Sequence, residues 1–212
     1  MSYTGVTCMQ AKRRLHIQMN RLFLGSHPAL DFLNTAYAPE GRVVEVIGNG
    51  AAFLDWLVEA QLLDHTQRIG LTERFSAQAL DSLAAEARAM REWARGWLIR
   101  WREEPAADYA IELEALNARL CALYIYRQVT DERTLVERIR LNDKAAVLGL
   151  VAAQIAALVT NEDGALVRTC AGSGCTLWFL DRTKAHRRVY CSATVCGNRA
   201  KVAAFRERAR SG

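Results

Sequence analysis

The chain has 212 residues, of which 51% are hydrophobic and 24% charged, and it contains only three prolines. This size and balance are typical of one globular core with a small additional module. No uninterrupted apolar run reaches 18 residues, and Lys12-Arg13-Arg14 is not followed by an apolar segment. The sequence therefore predicts neither a membrane span nor a signal peptide, and it favours a cytoplasmic protein.

The first elements surround a short segment of mixed polarity. Residues 1–20 are predicted to be a disordered arm, and a basic arm that grips DNA is the alternative. The segment from Leu30 to Thr35 combines large apolar residues with Asp31 and Asn34. These two residues could be the polar groups of a ligand pocket. The favoured alternative is a helix whose Asp and Asn side chains are satisfied by neighbouring groups, because buried polar groups must be paired.

The middle of the chain is predicted to be mainly helical. Its strongest pattern is an apolar stripe from Leu80 to Trp101, on a helix from Ser76 to Glu103 that Pro105 ends. This stripe could be a dimer seam, but its mixture of alanines and tryptophans favours the core of a globular bundle. The other predicted elements are a short strand at 43–47, helices at 51–63, 106–120 and 143–159, and a hairpin with strands at 123–126 and 134–141.

Four cysteines near the end of the chain form two equal pairs. Cys170 and Cys175 are spaced C-x4-C, as are Cys191 and Cys196, and 15 residues separate the pairs. Zinc prefers four soft donors in a tetrahedron, and two such turns joined by a hairpin would provide them. Two disulfides or four free thiols are the alternatives, and disulfides are disfavoured because nothing indicates secretion. The sequence thus predicts one zinc ion per chain.

The residues between the two cysteine pairs should form a hairpin with a basic connection. Strands are expected at 165–169 and 177–180, with Trp178 packed inside the module. The connection carries Arg182, Lys184, Arg187 and Arg188, which are suited to phosphate binding. His186 is expected to be exposed, because four thiolates already complete a tetrahedron.

A terminal helix is predicted that Ser192 caps and that runs to about Arg208. Val202 and Phe205 are expected to face inward, while Asn198, Arg199, Lys201, Arg206 and Arg208 project outward. Asparagine and arginine can read base edges in the major groove, so this could be a recognition helix. Alternatively, Asn198 and Arg199 brace the module, with Asn198 bonding the turn and Arg199 pairing with an acid such as Asp181.

Positive charge is concentrated in this module. Residues 168–212 contain ten Lys or Arg and two acidic residues, a net charge of +8, so that residues 1–167 carry −3. Four thiolates and one zinc ion would leave the module at about +6. This asymmetry favours an anionic partner, most simply a nucleic acid.

The stretch from Cys170 to Lys201, including Cys196-Gly-Asn-Arg199, closely resembles the CGNR zinc-finger family of bacterial proteins. The segment Gly25-Ser-His-Pro-Ala-Leu-Asp31-Phe-Leu-Asn34-Thr35 resembles the ABATE domain that typically precedes this finger, which is described as a stress-induced transcription regulator. The resemblance implies a bacterial, cytoplasmic, zinc-binding and DNA-binding protein. The expected fold is α+β but mainly α, with an ABATE-like helical domain at 21–164 that includes a β-hairpin. A finger of zinc-ribbon or treble-clef type at 165–212 would end in a helix.

The leading functional hypothesis is a transcription regulator whose helical domain senses a signal, such as a small-molecule effector, or mediates assembly. Because one finger buries little surface, specific DNA binding is expected to need a homodimer. The alternatives are a finger that binds RNA and one that docks to proteins. An enzyme is not expected, since no nucleophile and base with an orienting group can be recognised and a four-thiolate zinc site has no open position for water.

Overall fold

The computed structural model describes residues 23–38 and 42–211. The predicted arm at residues 1–20 lies outside this range. The helices are α1 (Pro28–Leu33), α2 (Gly50–Glu59), α3 (His65–Arg74), α4 (Ala77–Glu103), α5 (Ala110–Leu120), α6 (Lys144–Asn161) and α7 (Asn198–Ser211). The strands are β1 (Ala36–Tyr37), β2 (Val44–Glu45), β3 (Tyr124–Val129), β4 (Leu135–Arg140), β5 (Val167–Thr169) and β6 (Trp178–Leu180). The predicted fold class, mainly helical with small hairpins, is confirmed.

The chain forms two compact units. The helical unit is Glu45–Ala165, and the cysteine unit combines Met1–Val44 with Leu166–Gly212. The helical unit ends one residue after the predicted boundary at residue 164. In space, however, the segment that carries the ABATE resemblance around Asp31 and Asn34 belongs to the cysteine unit. Hydrogen bonds described below are the physical reason for this grouping.

The core of the helical unit is built around α4. Its stripe from Leu80 to Trp101 is buried, as the core interpretation predicted. Ser76 caps its first turn by accepting from the Ala79 amide, and α2 is capped in the same way by Asn49. A β-carbon at Gly50 would lie 2.4 Å from the backbone carbon of Leu80, so only glycine allows α2 this close to α4.

One helix and two helix ends differ from the predictions. The short helix α3 was not predicted, although Asp64 and Gln67 form a reciprocal capping box at its start. Helix α2 ends at Glu59 and not at Leu63, because Gln61 takes a left-handed conformation with φ of 60°. Helix α5 begins at Ala110 and not at residue 106, and the Asp108 carboxylate accepts from its first amide.

Helix α6 begins after its cap Asp143. By length and composition it could cross a membrane, and it is the single such helix in the described part of the chain. One face, including Val151, Ile155 and Leu158, is buried within the helical unit. This is the burial of a core helix.

The predicted hairpin of β3 and β4 forms, although β3 continues to Val129, three residues past its predicted end at 126. The strands pair antiparallel from Tyr124 opposite Arg140 to Val129 opposite Leu135. Most of its side chains are exposed.

The cysteine unit contains a second antiparallel pair, β5 with β6, which joins Val167 to Leu180 and Thr169 to Trp178. Helix α1 precedes this pair in the chain and contacts β6. Pro28 is at its first turn, and the His27 ring nitrogen Nδ1 accepts from the Ala29 amide. This arrangement puts the end of β5 and the start of the β6 segment beside the cysteines.

Candidate metal centre

The four cysteines predicted to bind zinc lie together. Their sulfur atoms are all within 4.8 Å of one another. The sulfur of Cys191 is 3.8 Å from that of Cys175 and 3.6 Å from that of Cys196. Four sulfurs at about 2.3 Å from a central zinc ion would be about 3.8 Å apart, so the cluster has the dimensions of a tetrahedral zinc site.

Local backbone structure sets the first pair of cysteines on a tight turn. Cys170 follows β5, and its amide donates to the Leu177 carbonyl at 2.9 Å. The Cys175 amide then donates to the Gly172 carbonyl, and Gly174 is left-handed with φ of 68°. A β-carbon at Gly172 would lie 3.1 Å from the Cys196 sulfur, so the turn needs a small residue there.

The second pair lies at the start of the terminal helix. The Ser192 hydroxyl accepts from the Val195 amide, as predicted for a cap, and the turn Ala193–Gly197 is a wide π turn. Cys196 in this turn is buried and faces the sulfur of Cys191. The wide turn therefore holds the sulfur of Cys196, one of the four candidate ligands, at the point where α7 begins.

The electrostatics of the cluster favour a cation. Amides of Gly172 and Cys191 donate to the Cys170 sulfur, at 3.4 and 3.2 Å. The hydrogen bond between the Cys175 and Cys191 sulfurs lowers the pKa of Cys175 below its usual range and raises the pKa of Cys191 far above it. A thiolate at Cys175 thus disfavours ionisation of the neighbouring thiols, and a bound divalent cation would compensate the charge of all four sulfurs. The residues fit zinc in number, chemistry and spacing.

Arg188 is half-buried and bonds several segments of the cysteine unit. Its guanidinium donates to the carbonyls of Leu24 and Tyr190, both at 3.0 Å, and to that of Cys191. It also donates to the Ser26 hydroxyl at 2.9 Å and lies 4.2 Å from the centre of the Phe179 ring. These contacts use most of the guanidinium donors within the unit, so that phosphate binding by Arg188 stays a prediction that its position does not favour.

Asp181 holds the start of the basic connection. Its buried carboxylate accepts from the hydroxyl and amide of Thr183 and from the Arg188 amide, and it lies 3.7 Å from the Arg168 guanidinium. Although burial opposes ionisation, these hydrogen bonds hold the Asp181 pKa below its usual value. The suggested Arg199–Asp181 pair is not formed; Arg168 takes that place.

Asn34 completes the edge of β6. Its side-chain amide donates to the Trp178 carbonyl at 2.9 Å, and its carbonyl oxygen accepts from the Trp178 amide at 2.7 Å. This is the pairing that a neighbouring strand would make, and it is buried. The Leu180 amide donates to the Gly25 carbonyl on the same edge. The segment before and within α1 is thus part of the finger's own structure.

Asp31 is also committed to structure. Its carboxylate accepts from the Gly25 amide at 2.8 Å in a buried position. Burial raises the Asp31 pKa to about 7, against the lowering effect of that hydrogen bond. The hydrogen bonds of Asp31 and Asn34 are those of the alternative interpretation, satisfaction by neighbouring groups, and the ligand pocket stays a hypothesis. A cavity of about 20 Å³ beside the cysteines is lined instead by other residues, among them Tyr37, Leu177, Val195 and Arg199.

Exposed basic side chains surround the centre. Arg182, Lys184 and Arg187 are exposed on the connection, and His186 is exposed and is not among the clustered ligands. On the terminal helix Asn198, Arg199, Lys201, Arg206 and Arg208 are exposed. The inward orientation predicted for Val202 and Phe205 is wrong: they are 48% and 67% exposed, because α7 extends beyond the small cysteine unit after its first turn. Trp178 is buried, as expected of a packing residue.

Sequence comparison finds two families along the chain. A family model described as "CGNR zinc finger" matches residues 167–209. A second, described as "ABATE: Putative stress-induced transcription regulator", matches residues 26–162. No curated protein matches the chain significantly. The first match contains all four cysteines, and the second contains Asp31, Asn34 and most of the helical unit.

Proposed function

Because the chain belongs to the ABATE family and ends in a CGNR zinc finger, we propose that it is a zinc-dependent, DNA-binding transcription regulator. In this proposal it acts by binding and not by catalysis. The helical unit senses a signal or mediates assembly, and the cysteine unit contacts DNA in the cytoplasm.

The observation that carries the proposal is the position of the exposed positive charge. Arg182, Lys184 and Arg187 lie on a connection that Asp181 and the cysteine cluster hold in place. Lys201 and Arg206 lie on a helix that begins at the metal-ligand turn. Basic side chains on rigid supports suit the phosphates of a duplex, and the N-terminal part of such a helix suits its major groove.

Zinc would be structural in this protein. The four cysteines would hold it with no coordination position left for substrate or water. When bound, zinc would fix the turn before α7 relative to the connection, and thereby present Arg187 and Lys201 on one framework. Affinity for DNA should therefore depend on metal occupancy, although no DNA group contacts the metal.

The direct test is binding of the zinc-loaded chain to random-sequence duplex DNA, followed by selection of enriched sequences. Charge reversal at Lys184 and Arg187 should weaken binding and reduce the slope of log K against log salt by about 2, since about one counterion is released per phosphate contact. Reversal of Arg133 and Arg138, two exposed arginines of the helical unit, changes the net charge equally and is the matched control.

The outcomes separate the functional classes. An enriched DNA motif that the Lys184 and Arg187 reversals abolish, while the control retains it, supports the regulator. Preference for structured RNA over duplex DNA would reassign the finger to RNA binding. Equal loss of binding in both reversal variants would show that only total charge matters, and the proposed DNA surface would be refuted.

A further inference from the structure

The β3–β4 hairpin of the helical unit exposes apolar side chains that the proposed function does not use. Ile125 is 56% exposed, Val129 66% and Leu135 64%. The base of the hairpin is anchored, because Arg74 donates to the Leu141 carbonyl and to the Asn142 side chain. A two-stranded hairpin is only marginally stable alone, and long exposed apolar strands invite association.

The strand register sorts the side chains onto two faces. Cross-strand pairing puts Ile125 opposite Ile139 and Val129 opposite Leu135. Between these two aliphatic pairs, on the same face, Arg127 lies opposite Glu137 with 3.4 Å between the charged groups. Because successive residues alternate between faces, these six residues form one surface, which we call the aliphatic face.

The opposite face is occupied by its own contacts. The rings of Tyr124 and Tyr126 stack with centroids 6.5 Å apart. The Arg140 guanidinium lies over both rings, at 4.8 and 5.3 Å. The two faces therefore differ in character. On the opposite face the aromatic rings contact a guanidinium, although Tyr124 remains 56% exposed. On the aliphatic face Ile125, Val129 and Leu135 are exposed, and Ile139 is half-buried.

We propose that the aliphatic face is the dimer interface of this protein and that its occupant is the same face of a second copy. If two hairpins pack face to face about a two-fold axis parallel to the strands, each β3 lies over the other copy's β4. Arg127 of one copy then meets Glu137 of the other, and each aliphatic pair meets its equivalent. An axis perpendicular to the strands would instead put Arg127 over Arg127, which like-charge repulsion disfavours.

The charge pattern is the reason to choose a second copy over another partner. One positive and one negative residue, placed symmetrically between two aliphatic pairs, are complementary to themselves. The six side chains present on the order of 500 Å² per copy, below the roughly 800 Å² per partner of a standard interface. The dimer should therefore be reversible, with dissociation at micromolar concentrations. This inference is independent of DNA binding.

The first experiment is sedimentation equilibrium of the zinc-loaded full chain from about 1 to 200 µM, the range in which so small an interface should dissociate. We expect a monomer–dimer equilibrium. Ile125→Ser removes two aliphatic side chains per dimer and should raise the dissociation constant about a hundredfold. Ile111→Ser, at an isoleucine of α5 that is 79% exposed, is the matched control and should change nothing.

The decisive experiment uses charge exchange between copies. Arg127→Glu and Glu137→Arg should each be monomeric, because each puts like charges across the interface. An equimolar mixture of the two variants should form a mixed dimer, in which every 127–137 contact between copies joins opposite charges. A change within a single chain cannot produce this rescue, because residues 127 and 137 of each variant chain still carry like charges after mixing.

The inference is overturned if the unmodified chain is monomeric throughout. It is equally overturned if a dimer forms but Ile125→Ser weakens it no more than Ile111→Ser does, or if the mixed charge variants stay monomeric while circular dichroism shows both to be folded.

Discussion

Arg188 provides the sharpest test of how the cysteine unit is built. Two adjacent arginines, Arg187 and Arg188, look equivalent in the sequence, yet the first is exposed and the second donates into the unit. We expect Arg188→Ala to destabilise the metal-bound unit strongly. Arg187→Ala should weaken nucleic-acid binding and leave stability within about 0.5 kcal/mol, as for other exposed positions.

The expected magnitude follows from the contacts that Arg188 loses. Its guanidinium donates to three backbone carbonyls and to the Ser26 hydroxyl, and it lies against the Phe179 ring. Each hydrogen bond from a charged donor is worth about 1.5–3 kcal/mol, and the ring contact about 0.5–2 kcal/mol. The Arg188 side chain is only partly buried and such contributions are not additive, so we expect Arg188→Ala to lower the stability of the unit by about 3 kcal/mol in total.

The assay is zinc affinity, measured by competition with a chromogenic chelator. Metal binding and folding of the cysteine unit are coupled, so a loss of about 3 kcal/mol should weaken zinc binding about a hundredfold. The matched control is Arg187→Ala, which removes an equal charge one residue away. The reasoning is refuted if Arg188→Ala keeps the parental zinc affinity and loses nucleic-acid affinity to the same extent as Arg187→Ala.

Three further predictions concern the same unit. Asn34→Ala should lower the free energy of unfolding by about 2–4 kcal/mol because it removes two buried hydrogen bonds to the Trp178 backbone, whereas Asn198→Ala, at an exposed residue, should be neutral in the same zinc assay. Cys191→Ser should lose most zinc affinity, and chelation should unfold the cysteine unit while circular dichroism from the helical unit persists; full zinc affinity in the variant would contradict the four-thiolate site. Burial raises the Asp31 pKa, so the native state loses stability as pH rises from the unfolded pKa near 4 towards the folded pKa of about 7. We therefore compare the free energies of urea unfolding of Asp31→Asn and of the unmodified chain, both saturated with zinc. The value for the variant should rise by about 1 kcal/mol relative to the unmodified chain between pH 6 and pH 8. A difference that does not change with pH would contradict this.

Much of the helical unit could be predicted because its signals are local. The stripe from Leu80 to Trp101 repeats at helical spacing, and Ser76 and Asn49 are good caps. Where prediction failed, a single backbone conformation decided the outcome. Gln61 is left-handed and ends α2 early, and such a conformation at a non-glycine residue leaves little trace in sequence. Helix α3 was missed although its capping box, Asp64 with Gln67, was a readable signal.

The metal centre was predictable for a different reason. Zinc imposes its own geometry, so the C-x4-C spacing of Cys170 with Cys175 and of Cys191 with Cys196 already restricts where the sulfurs can lie. Their clustering within 4.8 Å follows from that restriction. The positive charge of the module could likewise be counted from the sequence.

Tertiary structure alone decided which polar residues of the cysteine unit are internal. Sequence reasoning considered Asn198 and Arg199 as braces of the finger, but it did not identify Asn34 and Arg188 as residues that bond the finger's backbone. Asn34 is 144 residues from Trp178 in the chain, and no local pattern reports such a contact. The sequence by itself determined the cluster of four cysteines, the charge and the main helices, because spacing and composition encode them directly. Partners of individual polar groups depend on which distant segments fold together, and only the three-dimensional arrangement specifies them.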